Sequence, residues 1–170
     1  KNSADLPRIK YPLHEAEEAG ELEFVDAPEI DTSLIADWIE EQMQTYSIQM
    51  TTLDDYRYAL MKTALERLGI SYENKNIKLI RPSDKIKVEP IIDSAFRNHN
   101  IVYGDSSIMR WYTNNTKKVK SKKYGNYEYQ KIEAKSRKTD GFFAFVGAMT
   151  EHEKIPEEQQ GSDILPVFIM

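Results

Sequence analysis

Two carboxylates in this chain stand where residue type and spacing could support chemistry. Asp140 lies in Lys135-Ser136-Arg137-Lys138-Thr139-Asp140-Gly141, between a cationic run and the apolar residues 142–149, which read as a buried helix. An acid in that place is held either as a helix N-cap, accepting backbone N–H groups of the first turn, or by a bound cation. Asp54, with Asp55 beside it, follows the β-forming residues 47–53, and sites in open α/β sheets gather beyond the carboxyl ends of strands. If the helix from Asp140 packs across the sheet, its first turn could approach Asp54. Carboxylates brought together repel unless they share a proton or a divalent cation. Oxygen-only ligands favour Mg²⁺ or Mn²⁺ over zinc. A pair of such ions about 4 Å apart can activate water and stabilise the leaving oxygen of a phosphodiester. The competing reading is that Asp54, Asp55 and Asp140 are turn and cap residues and nothing more.

Charge adds a second feature. The formal net charge of −5 hides an uneven distribution. Arg110, Lys117, Lys118, Lys120, Lys122, Lys123, Lys131, Lys135, Arg137 and Lys138 face only Glu128 and Glu133 within residues 110–138, so that segment carries +8 and the remainder −13. A basic surface on an acidic body suits the phosphate backbone of a nucleic acid, gripped without reading bases. A solvated lysine-rich hairpin that binds nothing specific is the plainer alternative.

The remaining chemistry is sparse. With no cysteine there is neither a disulfide framework nor a thiolate metal site. His14, His99 and His152 are too scattered for ligand spacing, and Ser106 and Ser107 lack any nucleophile-elbow motif. No apolar run of about 18 residues offers a membrane span. The first residue is Lys1, and the chain reads as a piece of something longer.

The elements that must position these residues follow from periodicity. At 170 residues the chain reads as one domain with a real core, an extended lead-in over 1–12 and a tail over 157–170. A short helix over 14–19 ends at Gly20, and residues 22–25 form a strand candidate. Asp31-Thr32 offers an N-cap to a helix on which Leu34, Ile35, Trp38, Ile39, Met43 and Tyr46 recur, ending near Tyr46. The strand before Asp54 leads to a helix over 56–68 with Tyr56, Ala59, Leu60, Thr63, Ala64 and Leu68 inward and Gly69 as its stop. Residues 77–80 form the next strand. A helix over 83–99 follows, which Pro90 should kink or delay to near Glu89. Residues 101–103 read as a strand, Asp105 as the cap of a brief helix, and residues 118–132 as a hairpin turning at Gly125-Asn126. Residues 140–152 form the last helix. Trp38 and Trp111 read as core anchors. Alternation of strands and helices predicts an α/β core with parallel pairings, covered by helices.

Four blocks occur in order: Glu18-Ala19-Gly20-Glu21-Leu22, Leu53-Asp54-Asp55-Tyr56-Arg57, Met109-Arg110-Trp111-Tyr112-Thr113-Asn114-Asn115, and Lys138-Thr139-Asp140-Gly141-Phe142-Phe143-Ala144. Together they resemble the C-terminal nuclease domain of tailed-phage large terminase subunits, over about residues 11–154. The resemblance implies a ribonuclease-H-like mixed sheet flanked by helices, with the basic hairpin added. It implies an endonuclease dependent on Mg²⁺ or Mn²⁺ that cuts concatemeric double-stranded DNA during genome packaging. Asp54 resembles the ligand of the family's Tyr-Asp-Pro-like strand end; Asp55 stands where the family has proline, and of the two acids Asp54 aligns better. Asp140 resembles the ligand of its Ile-Asp-Gly motif, and Asn115 an asparagine that recurs after the tryptophan. Lys117, Lys118, Lys120, Lys122, Lys123, Lys135, Arg137 and Lys138 would then meet DNA. Portal and small-subunit partners, and the cytoplasm of an infected bacterium, are implied in the same way. The family's opening strand, with its Gly-x-Asp acid, has no counterpart in this sequence, and no Gly-x-x-x-x-Gly-Lys-Ser/Thr ATPase motif is present. A truncated nuclease domain is therefore expected. The alternative is a non-catalytic module of the same fold that docks DNA or packaging subunits.

Overall fold

Asp31 and Ser106 supply side-chain N-caps to two of the helices, and glycines stop two others. The computed structural model describes residues 6–122, 125–133 and 135–155. Its elements run α1 (Leu13–Glu18), α2 (Thr32–Thr45), β1 (Thr51–Asp54), α3 (Asp55–Arg67), β2 (Ile77–Ile80), α4 (Pro82–Arg97), α5 (Ser107–Asn114), β3 (Thr116–Lys120), β4 (Tyr127–Lys131) and α6 (Asp140–Met149). The fold is mixed α/β, and the chain divides into two compact units, residues 30–88 with 144–170 and residues 1–29 with 89–143.

In the first of these units, β1 and β2 pair in parallel, in register from Thr51↔Ile77 to Asp54↔Ile80. Parallel neighbours need a crossover, which α3 supplies. Ile39, Leu53, Met61, Leu65, Ile70 and Ile77 form the core between helices and strands. The inward stripe of α3 is Tyr58, Met61 and Leu65, with Leu68 at its end packed on the core as expected, whereas Tyr56 and Leu60 are exposed. The helix begins one residue earlier, directly off β1, and the strand sets its rotational phase. Trp38 is also exposed, because Ile35, Ala36 and Ile39 take the buried side of α2. Gly69 stops α3 as expected, at φ +72 with its N–H on the Glu66 carbonyl.

Helix α4 does not wait for Glu89. Pro82 occupies its first position, where the missing N–H costs nothing, and Asp84 reaches back to accept the Arg81 N–H at 2.9 Å. Pro90 lies inside the helix and forfeits a single bond, while Ile86, Val88 and Ile92 are buried on either side of it. In α6, a Cβ on Gly147 would lie 3.1 Å from Thr52 Oγ1, so this glycine lets the helix backbone come close to β1.

In the other unit, α1 ends through Gly20 as expected. Residues 22–25 and 101–103 are not strands. Extended segments become strands only with a partner, and Val102 is 76% exposed. Ser106, not Asp105, caps α5, its hydroxyl accepting the Met109 N–H. Glu21 reinforces this cap by accepting from the Ile108 N–H and the Ser107 hydroxyl. Strands β3 and β4 form an antiparallel hairpin from Thr116↔Lys131 to Lys120↔Tyr127. Gly125, at φ +74, donates to the Ser121 carbonyl to close the loop. Among the described residues the strands form two separate pairs and no larger sheet. No helix there is long and apolar enough to cross a membrane.

Candidate carboxylate site and basic hairpin

Asp54 is the last residue of β1 and stands at the N-cap position of α3, with φ −69 and ψ 136. Its side chain makes no capping bond. Instead Oδ1 accepts from Lys85 Nζ at 2.8 Å. The ammonium comes from the first turns of α4, just after β2, so acid and base rise from neighbouring ends of a parallel pair. The Asp54 side chain remains 51% exposed and that of Lys85 29%. Asp55, the other acid of the pair, opens the first turn of α3, where a negative charge suits the helix dipole.

Asp140 is not a cap either. It is the first residue of α6, and Thr139 holds the N-cap position, its carbonyl accepting the Phe143 N–H at 3.0 Å. Asp140 is exposed. Beneath it the backbone meets α5 closely, since a Cβ on Gly141 would fall 2.5 Å from the Tyr112 ring. Burial, with the Asp140 charge beside it, pushes the Tyr112 phenol up to about 12. The Asp-Gly pair thus combines an exposed acid with a residue that must lack a side chain.

The cations of the basic segment do not form one class. Lys118 Nζ lies 2.5 Å from Glu89 Oε1 and 3.2 Å from Asp93 Oδ2, and 4.7 Å over the Tyr127 ring. Its contact with Glu89 is an ion pair without hydrogen-bond alignment. Glu89 and Asp93 keep its ammonium charged above the usual lysine range. With the Glu89 side chain only 4% exposed, Lys118 serves the fold. Opposite it, Tyr129 meets Phe142 edge-on at 5.0 Å. Lys117, Lys120 and Lys122 are exposed. Lys135 and Arg137 are exposed too, and Glu133 turns to local partners. The Ser136 hydroxyl, with the backbone N–H groups of Ser136 and Lys135, holds that carboxyl below its usual range. Lys138 is half-buried, and Lys123 lies outside the described residues.

Asn115 turns out to be a latch. Fully buried, it donates through Nδ2 to the Lys138 carbonyl at 3.0 Å, and its own carbonyl accepts the Ile132 N–H at 2.8 Å. It therefore ties the end of α5 to the chain leaving β4 and entering α6. Trp111, half-buried, stacks at a tilt with Tyr11 at 4.9 Å.

Among the described residues no three His, Asp or Glu side chains gather where a cation could sit. Asp54 and Asp140 each offer carboxylate oxygens, the donor type that Mg²⁺ takes before completing its shell with water and phosphate.

No family model matches the sequence, and no curated protein does. Among solved structures, the crystal structure of the HK97 bacteriophage large terminase is similar, with a TM-score of 0.69 at 18% identity. The fold resembles part of a phage large terminase. The match covers 82% of this chain and 28% of the terminase chain.

Proposed function

We propose that this chain is the nuclease portion of a large-terminase-type packaging protein, a divalent-metal-dependent endonuclease of ribonuclease-H-like fold acting on concatemeric double-stranded DNA. The observation that carries the reading is Asp54, a carboxylate at a parallel strand's end that leaves its helix uncapped and remains half exposed. The likeness to a large terminase supports the same reading at the level of fold. Asp54 and Asp140 would each be a ligand to Mg²⁺ or Mn²⁺, which supplies positive charge to the scissile phosphodiester. Lys117, Lys120, Lys122, Lys135 and Arg137 neutralise flanking phosphates and orient the duplex without selecting its sequence. Portal and small-subunit partners, in the cytoplasm of an infected bacterium, belong to this reading.

The test is nicking and linearisation of supercoiled plasmid in Mn²⁺ by this chain and by Asp54→Ala and Asp140→Ala. Cleavage that each substitution lowers at least a hundredfold, with Tm unchanged, is expected. Cleavage surviving either substitution overturns that residue's role. The lack of a three-carboxylate cluster among the described residues favours a second reading, a non-catalytic module docking DNA or packaging subunits. That module would bind DNA in a salt-sensitive manner, indifferent to divalent metal, and cut nothing.

A further inference from the structure

Lys85 and Asp54 are more than an incidental surface pair. An exposed ion pair adds little to stability, whereas an aspartate at an N-cap position stabilises its helix by capping. Asp54 has a backbone suited to capping and gives that bond up for Lys85. Strand register makes the pairing specific. Asp54 and Ile80 are the last matched residues of β1 and β2, and α4 starts two residues after Ile80, so Lys85 is delivered to the same end of the sheet as the acid. Its ammonium thus occupies a carboxylate oxygen of the residue proposed above as a metal ligand.

We infer that Lys85 is a positioning residue that occupies the Asp54 carboxylate in place of a divalent cation and yields it when that cation binds. The inference rests on the reading of Asp54 as a metal ligand. Coulomb attraction favours exchange, because a doubly charged ion at about 2.1 Å attracts the carboxylate more strongly than a single charge at hydrogen-bond distance, and the ion's hydration opposes it. Until exchange occurs, Lys85 keeps the carboxylate turned outward and away from the first turn of α3. The cost is competition, because a cation approaching Asp54 must displace or repel the ammonium.

The experiment is Mn²⁺ titration of the intact chain, following free Mn²⁺ by electron paramagnetic resonance, without DNA. Lys85→Gln should tighten Mn²⁺ binding about threefold to tenfold, Lys85→Met should do the same, and Lys85→Arg should stay near the parent. Asp54→Asn is the control for the underlying reading and should weaken binding by at least tenfold. If Asp54→Asn weakens binding while neither neutral variant tightens it, the placeholder role is overturned and Asp54 remains a ligand. If Asp54→Asn leaves binding unchanged, the ligand reading fails and the inference fails with it.

Discussion

Helices α2 and α3 begin in the same way, and their first residues are used differently. Asp31 precedes α2 with φ −67 and ψ 137, and Asp54 precedes α3 with φ −69 and ψ 136. Asp31 accepts the Ser33 N–H at 2.8 Å, and its carboxyl is held below the usual range by that bond. Asp54, on a matching backbone, turns to Lys85 instead. Backbone geometry therefore does not decide which of these two aspartates caps, whereas a cation delivered by the helix that follows the neighbouring strand does. One acid is spent on the fold and the other is kept at the surface.

The same division separates the lysines of the hairpin, and there the largest effect on stability is expected. Lys118→Ala leaves Glu89 buried without its closest cation and should cost about 2 kcal/mol in urea unfolding, below the range for a fully buried pair because Lys118 is partly solvated. Lys120→Ala should cost under about 0.5 kcal/mol, while lowering the salt slope of DNA binding by about one. Equal costs for the two would erase the distinction.

Between the two aspartates a smaller stability difference should appear. Asp31→Ala should lower the thermal unfolding midpoint, since an N-cap bond is lost, and Asp54→Ala should lower it less. The reverse order would mean that Asp54 serves the helix after all.

Glu151 offers the smallest and sharpest contrast, as a carboxylate in the same unit paired with lysines but largely buried. Burial alone would raise its pKa, yet Lys154 at 2.7 Å and Lys78 at 2.5 Å hold the carboxyl below its usual range. A depressed folded-state pKa means that its stabilisation is present above the ordinary glutamate range and is lost as pH falls through the lower folded value. Glu151→Gln should cost about 0.5 kcal/mol at neutral pH and flatten the acid limb of a stability–pH profile.

Local signals were legible in the residues, and choices made between distant elements were not. Asp31-Thr32 and the pattern after it located α2, residues 77–80 located β2 to the residue, and Gly20 and Gly69 stopped their helices. Residues 101–103 carry strand-forming side chains, but a strand is defined by a partner that composition cannot name. Pro90 argued for a break because its lost bond is a local fact, while the buried residues flanking it are a tertiary one. Asp54 was placed at its strand end from sequence. Its partner was not, because Lys85 reaches it only through the parallel register of β1 with β2. Nor did the lysine run reveal that Lys118 belongs to Glu89, 29 residues earlier in the chain. Asn115 was noticed through resemblance, and the buried bond from its side-chain amide to the Lys138 carbonyl supplies a physical reason for an asparagine there.

The pairing of Lys118 with Tyr129 bears on how the hairpin assembles. Because side chains alternate across a strand, a slip of β4 by one residue would replace Tyr129 by Glu128 or Gln130 on the face that meets Phe142. Glu128 there would bring a third negative charge toward Glu89 and Asp93. A slip of β3 would turn Lys118 outward and put Lys117 or Val119 in its place, and Val119 would leave Glu89 without a counter-charge. Misregistered hairpins are thus selected against by charge as well as by shape, which makes Lys118 a proofreader of strand alignment while the chain folds.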